Sequence, residues 1–459
     1  MRKTSIICVL LIIQMGLYAA APIGNVDAVN KDQVWGWAKD ADWSGPIDVH
    51  VYCYPRGSSS PLWGVAITAN VWRSDVGYHG FNLTHPNYTA LAEGEYDIVA
   101  YAIGKNSAGQ NDGQNIALSL SLVGSEQPAW KQTIRKDFFA NGQYLVFSQY
   151  LGIMWDEASN YDMYQSAVRT SNNGTVYCYY TKMESGGGET IYVRTSPNGI
   201  TGWSAATKVI NRGPGPDSVF IADPDVLAVQ EGGDYRFWLH YTGYDGVWNY
   251  VFQATTTASQ YTSFVKRDRN GNVSTAIPMM YPSHNYPYST YGAGQPSMLI
   301  DANNTYWLYF TDTSCENPPS SQVVRFSGAT PMSFFDIGVS QYYSNRMAPP
   351  VNYLNTAHWT YYPNLATYAT VLAYTDITIY VGPSTISFNG DYGRMIYDKG
   401  NVNRNYIAEG GLLRGLKGHI TTPDNSTIVY YGAGKDTGDW SRYSTTGCGA
   451  TRFYLYKLY

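Results

Sequence analysis

The sequence predicts an all-β chain: an N-terminal β-sandwich followed by a five-bladed β-propeller. Three observations predict it. The composition is rich in Tyr (43) and Gly (45) and sparing of charge, at 14% Asp, Glu, Lys and Arg. Short alternating runs bounded by Gly, Pro, Asn and Ser fill residues 22–123, as in sandwiches. From about residue 150 an aromatic strand ending in Thr or Gly recurs five times at blade-like spacing.

In chain order, Arg2 and Lys3 precede an apolar run from Ile6 to Ile13, and Ala19, Ala20 and Ala21 follow. A charged start, a short apolar core and a small-residue exit describe a secretory signal peptide over residues 1–21. The run falls short of the roughly 20 apolar residues a spanning helix needs. The expected location is therefore outside the cytoplasm, secreted or periplasmic, with no membrane association after signal removal. With Arg2 and Lys3 gone, 28 basic residues face 35 acidic ones, a net charge of −7. That argues against a nucleic-acid partner, whose binding rests on basic patches. Cys53, Cys178, Cys315 and Cys448 are widely spaced and form no CxxC. A metal cluster is not expected, and all three disulfide connectivities stay open.

Residues 22–123 read as the sandwich module. Its strand signals are Gln33–Ala38, Ile47–Tyr54, Trp63–Trp72, Gly80–Leu83, Tyr96–Ile103 and Ala117–Val123. The stretches VWGWAKD, VWRSDVGYHGF and GEYDIVAYAIG resemble small β-sandwich modules attached to secreted bacterial carbohydrate enzymes. Trp35, Trp37, Trp43, Trp63 and Trp72 are divided between a sugar-stacking platform, for which an aromatic plane with a polar tip is suited, and the core of a small sandwich. Residues 124–149 break the strand rhythm and read as a linker.

The propeller is expected over residues 150–459. Each repeat has a marker strand: Val176–Lys182, Tyr235–Gly243, Thr305–Asp312, Ala369–Asp376 and Ser426–Gly434. Their anchors, Thr181, Thr242, Thr311, Thr375 and Gly432, are spaced by 61, 69, 64 and 57 residues. A further strand follows each marker: Thr190–Ser196, Asn249–Thr255, Gln322–Gly328, Thr378–Ser384 and Arg452–Tyr459.

In a propeller the first strand of each blade lines the channel, so chemistry is expected where those strands begin. Counting back from the anchors selects Asp162, Asp223, Gln295, His358 and Glu409. The stretch IADPDVLAVQEGGDYRFWLHYTGYD (221–245) carries this pattern in full, with Asp223 ahead of a strand, a Gly-Gly-Asp turn and an aromatic strand.

The motifs ADPDVL…YRFWLHYTG and GAGQPSML…YWLYFTD resemble blade motifs of the five-bladed glycosidases of glycoside hydrolase family 43 and their relatives. The resemblance covers about 150–459. It implies a glycoside hydrolase acting on polysaccharide or oligosaccharide, inverting the anomeric centre, with an Asp base in blade one, an Asp that tunes pKa in blade two and a Glu acid in blade three. Carried over, Asp162 is the base and Asp223 the tuner. The third position holds Gln295, and a carboxamide cannot act as a general acid. Hydrolysis of this kind needs an acid and a carboxylate across the scissile bond, and clustered carboxylates raise one another's pKa. The favoured acid is Glu409, with loop carboxylates Glu184, Asp245 and Glu316 as alternatives. Gln295, His358, Asp245, Tyr291 and Trp248 are expected substrate contacts, and Tyr244, Tyr286, Tyr288 and Trp440 are further loop aromatics. The expected partner is carbohydrate and the expected state a monomer. No cofactor and no metal site is expected, with a structural calcium ion in the channel left open. The competing reading is a non-catalytic glycan-binding propeller. No phosphate loop, G-x-S-x-G or HExxH is present.

Overall fold

The computed structural model of the chain describes residues 20–29, 33–55, 57–84, 92, 94–120, 132–139, 144–157, 162–171, 174–184, 187–268, 270–274, 277–280, 292–312, 322–328, 357–365, 367–373, 377–382, 392–395, 406–422, 427–434 and 451–458. The expected signal segment lies outside the described residues, apart from its last two positions. Among the described residues no helix is long and apolar enough to cross a membrane.

The N-terminal part contains β1 (Ile23–Val29), β2 (Gln33–Lys39), β3 (Asp48–Pro55), β4 (Trp63–Thr68), β5 (Val71–Arg73), β6 (Gly77–Thr84), β7 (Gly94–Ala102), β8 (Ile116–Ala117) and β9 (Ser119–Leu120). One sheet runs β5-β6-β2-β1-β9. In the other, β3 lies between β4 and β7, and β8 pairs with β7. Every second residue of β2 and β3 points inward, the period-2 pattern of a half-buried strand. Val34, Ala38, Val49, Val51 and Cys53 thereby join Phe81, Ile98 and Ala100 in one apolar core shared by both sheets. The expected strand Trp63–Trp72 is two strands. It breaks at Ala69–Asn70, where the Ala69 N–H bonds to the Ile47 carbonyl and the chain leaves one sheet for the other. Trp43 and Trp63 pack on the core, whereas Trp72 is exposed and tilts against Tyr78 with ring centroids 5.1 Å apart.

Of two further strands, β10 (Gln132–Phe139) lies within the expected linker and β11 (Tyr144–Glu157) crosses its end at residue 149. They extend the β7 edge antiparallel and carry one sheet onward into the second half.

Five antiparallel units follow. Unit one holds β12 (Asp162–Arg169), β13 (Val176–Met183), β14 (Glu189–Ser196) and β15 (Thr207–Lys208). Unit two holds β16 (Phe220–Glu231), β17 (Asp234–Tyr244), β18 (Asn249–Thr257) and β19 (Val265–Arg267). Unit three holds β20 (Ala293–Ile300), β21 (Tyr306–Asp312) and β22 (Gln322–Gly328). Unit four holds β23 (Ala357–Tyr362), β24 (Thr367–Ala373), β25 (Ile377–Gly382) and β26 (Tyr392–Met395). Unit five holds β27 (Tyr406–Arg414), β28 (Thr427–Gly434) and β29 (Thr451–Leu458), and β11 pairs with the outer edge of β29. Each marker strand and each strand expected after it overlaps an observed strand; residues 374–376, with the anchor Thr375, and residues 383–384 lie outside the described residues.

The first strands neighbour one another in order: β12 and β16, β16 and β20, β20 and β23, β23 and β27, and β27 back to β12 in parallel pairing. Both faces of β13 are covered, which is why this marker strand reads as a nearly unbroken apolar run. Tyr179 of β13 packs with Phe237, Leu239 and Tyr241 of unit two. Its neighbours Cys178 and Tyr180 pack with Leu413 and Tyr430 of unit five.

The segment after β27 turns beneath units two to four. The Lys417 N–H bonds to the Ala228 carbonyl, the Ile300 N–H to the Lys417 carbonyl and the Ile420 N–H to the Tyr361 carbonyl. Thr360 Oγ1 donates to the Gly418 carbonyl at 2.8 Å. These contacts lie toward the far ends of the first strands, away from the end at which β16 begins.

Candidate functional site

The register of the first strands shows what singles out the expected channel residues. In β16, Ala222 pairs with Thr242 and Asp225 with His240, so Asp223 and Pro224 face one residue, Tyr241. In β20, Gln295 and Pro296 face Phe310 in the same way. In β12 the pair is Tyr164 and Gln165, facing Tyr180. In β27 the extra residue is Glu409. Such two-against-one bulges re-aim side chains and concentrate beside active sites. The structure thus sets Asp223, Gln295 and Glu409 at corresponding bulges. His358 lies in β23, which runs in unbroken register from Ala357 to Tyr362.

Asp162 is placed differently from its count of residues. It pairs with Lys182, one step outside the Met163–Thr181 pair, so the ladder equivalent of Asp223 is Tyr164. The first hairpin of unit one has shorter arms and a longer turn than that of unit two, and the two differences do not cancel. Counting back from the anchor therefore slips by two positions.

Asp223 and Gln295 are strained. Their φ angles are +52° and +56°, a left-handed conformation that costs a side-chain-bearing residue roughly 1–2 kcal/mol. Both are nearly buried, at 5% and 8% exposure. Each is held by the anchor Thr of the preceding unit. The Asp223 N–H donates to Thr181 Oγ1 at 3.0 Å, and the Gln295 N–H donates to Thr242 Oγ1 at 2.7 Å. Thr181 and Thr242 are therefore clamps on the bulges of units two and three. Thr242 also hydrogen-bonds the Asp223 carboxyl. Thr242→Val should leave the buried Gln295 N–H without its acceptor and cost about 1–3 kcal/mol, read as a lower denaturant midpoint with unchanged slope.

The Asp223 carboxyl is pushed up to about 7 by burial, against the opposing hydrogen bond from Thr242. Beside it stands a residue that sequence reasoning missed. Glu189 opens β14 and is 6% exposed. Burial, then the neighbouring Asp223, push its carboxyl up to about 8. Among the described residues its buried Oε1 has no hydrogen-bond partner. The start of β14 lies against the approach to β16: a Cβ on Gly188 would stand 3.0 Å from the Val219 carbonyl oxygen. The signal that could have found Glu189 is positional. Strand register makes it the counterpart of Asn249, which opens β18 and is also buried.

Two of the alternative acids have structural partners. Glu184 accepts from Lys208 at 2.7 Å and from Tyr192 at 3.2 Å. Its burial favours protonation, but Lys208, Tyr192 and Arg212 outweigh it and hold the carboxyl below the usual range. Asp245 accepts from the Val247 and Trp248 N–H groups, both at 2.8 Å, and from the Tyr250 hydroxyl at 2.9 Å, shaping the β17–β18 turn. Trp248 is half-buried in that turn, and Tyr244 stacks on Phe220. Tyr286, Tyr288, Tyr291, Glu316, Trp440, Cys315 and Cys448 lie outside the described residues, as do the side chains of Asp162, His358 and Glu409.

Below the bulges lies a buried polar hub. Asp225 and Arg414 are fully buried and form an ion pair. Arg414 also donates to the Met298 and Val226 carbonyls at 3.0 and 2.9 Å, and the Met298 N–H donates to Asp225 Oδ2 at 2.8 Å. Ser166 Oγ accepts the Val226 N–H at 3.0 Å. Units one, two, three and five thus meet at one carboxylate. His240, opposite Asp225, is lowered to about 4 by burial, which outweighs the attraction of Asp225, so it is neutral.

No family model and no curated protein matches the chain. Solved structures do resemble it at low identity. An α-L-arabinofuranosidase from Podospora anserina aligns at 10% identity and TM-score 0.43, over 66% of this chain and 95% of that one. An arabinanase from Bacillus subtilis aligns at 14% identity and TM-score 0.41, over 65% and 95%. An N-acetylgalactosamine deacetylase from F. plautii aligns at 10% identity and TM-score 0.44, over 67% and 92%.

Proposed function

We propose that the five units are the blades of a propeller carrying an N-terminal β-sandwich, and that the protein is a secreted glycoside hydrolase acting on polysaccharide or oligosaccharide with inversion. The observation that carries this reading is Asp223: a buried carboxyl held in a left-handed bulge at the start of a first strand, with a second buried carboxyl, Glu189, within its electrostatic reach. Strain of this kind persists where the surrounding structure over-determines it, and it clusters at functional sites. Two carboxyls whose surroundings raise their pKa values supply the acid half of glycoside hydrolysis near neutral pH.

In this reading Asp162 is the base, Asp223 tunes the site, and Gln295 and Glu409 border the channel opening. A screen on arabinan, xylan, galactan and aryl-glycosides tests it. Turnover is expected, with the inverted anomer as the first product by proton NMR. Asp223→Asn should lower the rate by roughly 10²- to 10⁴-fold, the range for groups that manage proton transfer. Gln295, at the bulge equivalent to Asp223, favours one second reading: a glycan-binding propeller without activity. Saturable glycan binding with no turnover on any substrate would establish that reading and overturn the first.

A further inference from the structure

We propose that Glu189 is the proton donor of this site, standing in for the acid that Gln295 cannot be. The inference rests on the hydrolase reading above and assigns within it a residue outside the first strands. Among the described carboxylates near the bulges, Glu184 and Asp245 are taken up by lysine, tyrosine and backbone donors. Glu189 differs on each count. It is 6% exposed, and among the described residues its buried Oε1 has no hydrogen-bond partner. An ionised carboxylate left so would carry a large desolvation penalty, whereas a protonated carboxyl is tolerated there.

Its place in the fold fits the role. Glu189 opens β14 opposite Met183, two residues before Ile191, which pairs with Thr181. Thr181 is the residue that clamps the Asp223 backbone. The loop from the second to the third strand of unit one therefore brings Glu189 over the bulge of unit two. The corresponding residue of the next unit, Asn249, has an amide and no proton to give. Burial first, and then the charge of Asp223, keep the Glu189 proton in place.

In the step, the bond between the anomeric carbon and the leaving oxygen breaks with its electron pair remaining on that oxygen. The oxygen takes the proton of the Glu189 carboxyl. A water oxygen bonds to the anomeric carbon from the opposite side and yields its proton to a carboxylate base, the role expected of Asp162. Solvent then returns a proton to Glu189 and accepts one from the base. No other reactant is consumed.

The test compares Glu189→Gln with wild type on two glycosides of one sugar: a dinitrophenyl glycoside, whose leaving group departs without protonation, and a phenyl or saccharide glycoside, whose leaving group needs it. The expected result is a loss of roughly 10²- to 10⁴-fold on the second substrate and less than about tenfold on the first, because only the second requires the acid. The alkaline limb of the wild-type pH–rate profile should vanish in Glu189→Gln, and Asp223→Asn should move that limb to lower pH. Equal losses on both substrates from a folded variant would overturn the role of Glu189 while leaving the hydrolase reading intact. If wild type turns over no glycoside at all, the hydrolase reading falls and this role falls with it.

Discussion

Replacing Arg414 by Met should cost the fold about 3–5 kcal/mol, the range for stranding one partner of a buried ion pair. Arg414 and Asp225 are both fully buried, so neither charge has solvent to turn to. Removing the guanidinium also leaves the Val226 and Met298 carbonyls without this donor. The loss should appear in urea or thermal unfolding as a large fall in midpoint. The Asp225→Leu, Arg414→Met double variant should recover much of it, because an apolar replacement of a whole buried pair is often neutral or stabilising. A single-variant loss below about 1 kcal/mol, the scale of an exposed ion pair, would show that the hub does not hold the units together.

The second large effect is a stability that falls as pH rises. Asp223 goes from an ordinary 3.8 to about 7 on folding, and Glu189 from 4.5 to about 8. Both folded-state values are raised, so between these limits the native state holds more protons than the unfolded chain. Stability therefore decreases with pH across that window. The contribution is fully present below about pH 4, where both states are protonated, and is lost as pH climbs through about 7 to 8. Each carboxyl accounts for on the order of 4 kcal/mol at about 1.36 kcal/mol per unit of pKa. Denaturation at about pH 5 and about pH 9 should give the higher midpoint at the lower pH, and Asp223→Asn and Glu189→Gln should each flatten the difference. A wild-type curve that rises over this range would contradict the buried, raised pair.

The strands of the units were legible because their information is local. Aromatic runs ending in Thr or Gly, bounded by turn residues, locate β13, β17, β21, β24 and β28 to within a few positions. Asp223 was legible for the same reason: the Asp-Pro-Asp ahead of an apolar strand is a local pattern. Asp162 shows where counting fails. A bulge and an unequal hairpin shift the register by two, and only the ladder Met163–Thr181 reveals that Tyr164 occupies the bulge. The expected linker likewise contains β10 and the start of β11, whose partners β7 and β29 lie far away in the chain.

Glu189 and Arg414 carry no local mark. Gly-Gly-Gly-Glu-Thr reads as a turn running into a strand, and Arg414 follows Leu412 and Leu413 as an ordinary strand end. What sets them apart is burial against a distant charge, across 189 residues for Arg414 and Asp225. By itself the sequence determined the all-β character, the repeat and the candidate carboxylate Asp223, because strand periodicity and turn chemistry act over a few residues. The tertiary structure alone decided which side chains stand at the bulges, which carboxylates lose their water, and which charge finds a partner, because desolvation and pairing depend on what the rest of the chain brings alongside.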